Sequence, residues 1–129
     1  MAIKINTEKR IFTLETKHTM YQMQADTYGV LRHLWYGAKT GCDMSYLQDY
    51  PDVGFSGNPH DAGNDRTYSL DTLPLEYAGA GIGDFRVPAV EAVHADGSCA
   101  LDLRYYSHTV KQGKYAIAGL PALYAGEDE

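Results

Sequence analysis

IKINTEKRIFTLETKHTMYQMQADTYGVLRHLWYG, residues 3–37, carries four runs of alternating side chains separated by turn-forming residues. Ile3 to Ile5 alternate, and Asn6-Thr7-Glu8-Lys9 follows as a turn. Ile11 to Glu15 resumes the pattern with Phe12 and Leu14 on one face. Met20 to Ala25 alternates again and brings Tyr21, Met23 and Ala25 together. The fourth run, Val30 to Tyr36, ends at Gly37. Side chains that repeat every second residue between turn residues mark β-strands. Short strands joined by tight turns predict an all-β domain, an antiparallel β-sandwich. No segment carries helical periodicity over a useful length.

Outward from these strands lies a long excursion, Tyr46 to Arg86, of about forty residues. Loops that long inside a domain are functional or disordered. Tyr46, Tyr50, Phe55, Tyr68, Leu70, Leu73 and Phe85 supply apolar anchors that disordered segments lack, so an ordered, polar-tipped excursion is expected. Beyond it, Ala89 to Val93 reads as a strand. Asp96-Gly97 then reads as a two-residue hairpin turn with both residues at positive φ. Its partner strand is Cys99 to Tyr106, with Leu101, Leu103 and Tyr105 on one face. The apolar stretch Leu120 to Tyr124 calls for something to pack against. A sandwich whose sequence stops so soon after a strand is expected to be incomplete, a fragment of a longer chain.

The chain of 129 residues has a formal net charge of −6, which disfavours nucleic acid or an anionic membrane as partner. Eleven tyrosines against three phenylalanines favour half-buried faces with polar tips. Cys42 and Cys99 form no CxxC pair and are expected to be buried thiols. The N-terminus has no apolar run of signal-peptide length, so a cytoplasmic location is expected.

Few residues read as chemistry. Gly79-Ala80-Gly81-Ile82-Gly83 lacks the GK[ST] of a phosphate loop and reads as a flexible turn. His60-Asp61 and Asn64-Asp65 do not match a calcium loop and read as self-capping turn residues. Ser56, in GFSG, is not a nucleophile elbow. His18, His33, His94 and His108 read as surface or satisfied histidines. Asp49, Asp52, Asp61, Asp65, Asp71 and Asp84 all fall within the excursion. Two convergent carboxylates would make a glycosidase site, and a carboxylate beside aromatic rings suits a sugar. Sequence alone does not bring any two of them together.

Three stretches are distinctive: Leu31 to Gly37 (LRHLWYG), Asp65 to Tyr77 (DRTYSLDTLPLEY) and Gly83 to Ala89 (GDFRVPA). With Asp102 to Tyr105 and Gly119 to Ala122 in order behind them, the whole chain resembles the N-terminal domain of glycoside hydrolase family 36, the bacterial α-galactosidases. The resemblance implies a β-supersandwich that precedes a (β/α)8 barrel and a C-terminal β-domain. It implies retaining hydrolysis of terminal α-galactosides such as melibiose and raffinose, by two aspartates on the barrel. No catalytic residue, metal or cofactor is therefore assigned to residues 1–129. The resemblance also implies a homo-oligomer, a tetramer in many members, and a loop of this domain that helps close an active site. The aspartate of that loop corresponds to Asp52, with Asp49 its rival. Arg66 is a candidate to pin the excursion by pairing with Asp71 or Asp84. Two other classes stay open: a stand-alone galactose-binding module using Asp52 with Tyr50 or Phe55, and a purely structural assembly domain with an exposed apolar patch.

Overall fold

Period-2 patterning becomes a four-stranded antiparallel sheet in the computed structural model, which describes residues 2–48, 58–113 and 116–122. The strands are β1 (Ala2–Asn6), β2 (Ile11–Glu15), β3 (Thr19–Ala25) and β4 (Leu31–Ala38), and they lie side by side in chain order. The turns follow from their residues. Asn6 Oδ1 accepts from the Lys9 amide at 3.0 Å, and Thr16 Oγ1 accepts from the Thr19 amide at 2.9 Å. Between β3 and β4, Gly29 takes φ +80°, where a side chain would be strained, and its amide donates to Asp26 O at 3.1 Å.

Register assigns the two faces. Ile3, Leu14, Tyr21 and Tyr36 align across the sheet, as do Ile5, Phe12, Met23 and His33. The opposite face carries Thr13, Gln22 and Trp35 in one row and Ile11, Gln24 and Arg32 in another. A β-bulge separates these rows: Gln22 pairs with Trp35 but Met23 pairs with His33, so Leu34 is the extra residue.

Two apolar clusters result. On the second face Ile11, Met20, Leu34 and Met44 are buried together, with Trp35 against them. At the end of the sheet Val30, Ala62, Tyr68, Leu70 and Leu73 form the other. Three of its five members come from the Asp65–Tyr77 stretch, so this part of the excursion is core rather than decoration. It also reaches the outer edge of β4: His33 N donates to Pro74 O at 2.6 Å, and Glu76 N donates to Leu31 O at 3.0 Å. Arg32 and Leu75 form an antiparallel bridge between those bonds.

The all-β antiparallel class expected from the sequence is borne out, with two short 3-10 turns, Ser45–Gln48 and His60–Ala62, as the helical elements among the described residues. The sheet is open, and no second sheet forms among the described residues. The first face is crossed by the extended stretch 99–110, where the ring centroids of Tyr105 and His108 come within 5.8 and 4.9 Å of that of Phe12.

Three expectations are corrected. Ala89–Val93 and Cys99–Tyr106 are extended but do not pair as a hairpin; Val90 bridges Gly79, and the amides of Leu101 and Tyr105 donate to Ala80 O and Gly29 O. The turn at Asp96-Gly97 spans three residues, with Gly97 alone at positive φ (+83°). Gly97 N donates to His94 O at 2.9 Å and His94 N to Ser98 O at 2.8 Å, the geometry of a type I turn closed by a left-handed glycine. Cys42 and Cys99 are free thiols, as expected, but exposed rather than buried. Along the second half of the chain Phe85, Val87, Val93, Tyr106, Ile117 and Leu120 are all more than half exposed.

Candidate functional site

The acid singled out by the sequence, Asp52, lies outside the described residues, as do its rival Asp49 and the aromatics Tyr50 and Phe55. The structure does define where the chain enters that stretch. Ser45–Gln48 forms one 3-10 turn directly after the buried Met44. Gln48 closes it with both ends of its amide. Oε1 accepts from Arg32 Nη1 at 2.8 Å, and Nε2 donates to the backbone oxygen of His33 at 2.9 Å. On the far side, Asn58 Nδ2 donates to Asp65 O, and Pro59 leads into the His60–Ala62 turn.

Arg32 is itself held by a buried carboxylate. Asp26 takes Arg32 Nε at 3.0 Å and the Tyr68 hydroxyl at 2.5 Å on Oδ2, and the amides of Tyr28 and Val30 at 2.9 Å each on Oδ1. Every lone-pair direction of this carboxylate has a donor, which is what makes a charge tolerable in a site only 6 % exposed. The Arg32 guanidinium also sits 5.2 Å from the Tyr68 ring centroid. Burial raises the Tyr68 phenol above its ordinary pKa, and the Asp26 charge raises it further, so Tyr68 remains a donor.

The remaining acids of the excursion have structural partners. Asp61 lies 3.5 Å from Arg104. Asp65 caps its own turn, accepting from the Thr67 hydroxyl at 2.6 Å and amide at 3.0 Å, bonds that hold its carboxyl below the usual range. Asp71 accepts from the Ser69 hydroxyl. Burial alone would raise the Asp84 pKa, but the Arg86 hydrogen bonds outweigh it and the carboxyl is held low. The self-capping reading of Asn64-Asp65 is thus borne out at Asp65. Among the described residues, no three His, Cys, Asp or Glu side chains are grouped to hold a metal ion.

Within the excursion, Arg86 clasps the Leu70–Leu73 turn. Arg86 grips Asp84 with Nε and Nη2 at 2.9 Å each and donates to the carbonyl oxygens of Leu73 at 2.8 Å and Leu70 at 2.6 Å. Asp84 and Arg86 lie two residues apart, so one short segment folds its own ion pair and then clasps the Leu70–Leu73 turn. GDFR carried that signal in the sequence. The glycine run is likewise no slack turn. A Cβ on Gly79 would lie 2.6 Å from Leu101 O, and one on Gly81 would lie 2.9 Å from Ala100 Cα. Glycine there permits backbone to lie against backbone.

Glu76, which sequence reasoning passed over, joins the excursion to the first face of the sheet. It accepts from the Tyr21 hydroxyl, and its Oε1 lies 3.1 Å from His33 Nδ1. Burial, then Glu76, raises the Tyr21 phenol. His94 and His108 also find protein partners, Ala100 O at 2.8 Å and the Tyr105 hydroxyl at 2.6 Å.

Two concavities accompany these contacts. One, about 220 Å³, lies between the end cluster and residues 101–105 and is walled by Val30, Leu70, Leu75, Ile82 and Leu103. The other, about 410 Å³ and more polar, opens over Lys4, Thr13, Glu15, Gln22 and Asp43. Its groups are mutually engaged: Glu15 is bonded by Lys39 at 2.6 Å and Lys4 at 3.0 Å, and Gln22 spans Thr13 and the Met44 amide. No helix of the described residues is long and apolar enough to cross a membrane.

Comparison with known proteins gives one consistent answer. Residues 29–129 match the model of the glycosyl hydrolase family 36 N-terminal domain. The bifunctional alpha-galactosidase/sucrose kinase AgaSK of Mediterraneibacter gnavus is 52 % identical over 129 residues, covering 100 % of this chain and 14 % of the relative. Alpha-galactosidase Mel36A of Lactobacillus acidophilus is 39 % identical, covering 98 % of this chain and 17 % of the relative. The solved galactosidase domain of AgaSK superposes with a TM-score of 0.93 at 51 % identity, over 98 % of this chain and 18 % of that one. The alpha-galactosidase AgaA A355E D548N of Geobacillus stearothermophilus, solved with raffinose, gives 0.81 at 37 % identity, over 92 % and 16 %. The chain thus spans less than a fifth of the length of each of these proteins.

Proposed function

The chain belongs to the glycosyl hydrolase family 36 N-terminal domains, and we propose that it serves as the front domain of a retaining α-galactosidase acting on melibiose- and raffinose-type oligosaccharides. Retaining glycosidases need two carboxylates about 5–5.5 Å apart. In this reading that pair belongs to a catalytic barrel and not to residues 1–129. The domain contributes a loop at the sugar subsite, where Asp52 accepts hydrogen bonds from adjacent galactose hydroxyls, and it supplies contacts between subunits of a cytoplasmic homo-oligomer. The observation that carries the reading is the end-to-end likeness to a galactosidase domain.

The test compares the full-length enzyme carrying this domain with residues 1–129 alone. The enzyme should release galactose from raffinose and from an aryl α-galactoside, and the isolated residues should not. Asp52→Asn removes a charged acceptor, worth about 1.5–3 kcal/mol, so kcat/KM should fall about tenfold to a hundredfold. Hydrolysis by residues 1–129 that survives Asp52→Asn refutes the assignment. So does a full-length enzyme without α-galactosidase activity.

A further inference from the structure

We infer that the cavity beneath residues 101–105 is a binding site for a small, uncharged apolar ring compound, separate from any site for galactosides. Its volume is about 220 Å³, and its lining includes Val30, Leu31, Leu70, Leu75, Ile82 and Leu103. All six are branched aliphatic side chains. Val30 and Leu70 belong to the end cluster, and Leu75 and Ile82 pack against it, so core packing fixes much of the wall.

The charged groups that reach this lining already have partners. Asp84 is gripped by Arg86, and Asp102 by Arg104 at 2.5 and 3.1 Å. Among the described residues, no buried side-chain nitrogen or oxygen lacks a hydrogen-bond partner. No buried side chain of the wall therefore needs a water there. An apolar cavity of about 150 Å³ stays dry and takes up benzene. This one is larger, with room for a ring that carries a small substituent. A galactose in the same place would give up water at its hydroxyls without finding partners for them. The lining thus selects an apolar ring and rejects a sugar.

Residues 101–105 close the cavity as a strap. Its ends are tied by backbone bonds, Leu101 N to Ala80 O at 2.9 Å and Tyr105 N to Gly29 O at 2.7 Å. Between them, Arg104 Nη1 donates to Tyr28 O at 2.9 Å. Leu103 is 50 % exposed and Tyr77, also in the lining, is 56 % exposed, so the cavity meets solvent on that side. A strap held by so few bonds opens locally at low cost, which gives the ligand its way in. Once inside, the ring fills empty space and adds apolar contacts to both strap and cluster.

The experiment is calorimetric titration of the full-length enzyme with toluene, with hydrogen exchange read on residues 99–105. One toluene per chain should bind with a Kd of roughly 0.1–1 mM, as expected for burial of one such ring. Exchange at Leu101 and Tyr105 should slow about threefold or more in its presence. Ile82→Phe places a ring inside the cavity and should weaken binding by at least about tenfold. Leu103→Ala removes part of the strap's cover at a half-exposed position and should weaken it about three- to tenfold. Saturating galactose should leave the titration unchanged. No binding by the parent refutes the inference. So does toluene bound equally by the parent and both variants, because its site then lies elsewhere, and so does competition by galactose. Should Ile82→Phe not fold, Leu103→Ala decides by the same criterion.

Discussion

Replacing Arg86 by leucine tests what closes the excursion on itself. The guanidinium makes two hydrogen bonds to Asp84 and one each to Leu73 O and Leu70 O. Its removal leaves the Asp84 side chain, 1 % exposed, as a charge with its principal partner gone. Breaking a buried pair from one side costs about 3–5 kcal/mol. The Arg86 side chain is 38 % exposed, so solvent screens part of the pair and the figure falls to about 2–4 kcal/mol. The loss should be local, because the clasped carbonyls belong to the turn that delivers Leu70 and Leu73 to the end cluster. Native-state hydrogen exchange of the full-length enzyme, read on peptides spanning residues 70–77, measures it directly. At about 1.4 kcal/mol per decade, the opening equilibrium should rise roughly 30- to nearly 1,000-fold, while β1 and β2 stay within about twofold. Pairing Arg86→Leu with Asp84→Asn should recover part of the loss, since the buried charge is then gone. Exchange at 70–77 within about twofold of the parent in Arg86→Leu would refute the clasp.

Gly81→Ala should loosen the seam between the glycine run and residues 99–101, because Gly81 sits at φ +88° with Ala100 backbone 2.9 Å from any added Cβ. A cost of about 1–3 kcal/mol is expected, seen as faster exchange at Leu101, whose amide donates across that seam; unchanged protection there would contradict the close packing. Asp43 gives an acid-sensitive contact: the Lys9 ammonium, at 2.7 Å, and then the hydrogen bonds from Ser45 lower its pKa from the usual 3.8 to about 2. Its folded pKa lies below the unfolded one, so the contribution is complete above about pH 4 and is lost as pH falls toward 2. Exchange at residues 41–45 should rise over that window, and Lys9→Met should weaken the dependence while the Ser45 hydrogen bonds to Asp43 keep part of it.

Much of the sheet was legible because each strand carries its own signal. Phe12 and Leu14, and Tyr21 and Met23, declared a shared face through spacing alone, and the register places them so. The core role of Tyr68, Leu70 and Leu73 was foreshadowed by their apolar character within a polar stretch. What spacing could not give was pairing at a distance. Pro74 and Glu76 lie against β4 through backbone atoms that any residue would supply. The strand-like alternation of Leu101, Leu103 and Tyr105 was genuine, but alternation reports an extended chain, not a neighbour to bond with. Arg86 and Gln48 escaped notice because a lone polar side chain carries no periodic mark; its meaning depends on carbonyls and side chains brought near by the fold.

The bulge opposite Gln22 and Met23 acts as a parity setting for the whole of β4. With Leu34 counted in, Arg32 shares a face with Gln24, and His33 shares the opposite face with Met23. Pair Leu34 in regular alternation instead and the two trade sides: the guanidinium would be carried away from Gln48, and the imidazole away from Glu76. Two relationships that look unrelated, one beneath each face, therefore depend on a single count. For anyone aligning relatives or grafting this segment into another enzyme, loss of Leu34 removes the bulge and keeps the pairing of Arg32 with Gln24 and of His33 with Met23. A regular strand of the same length would instead exchange the wiring of the two faces while leaving every amino-acid type in place.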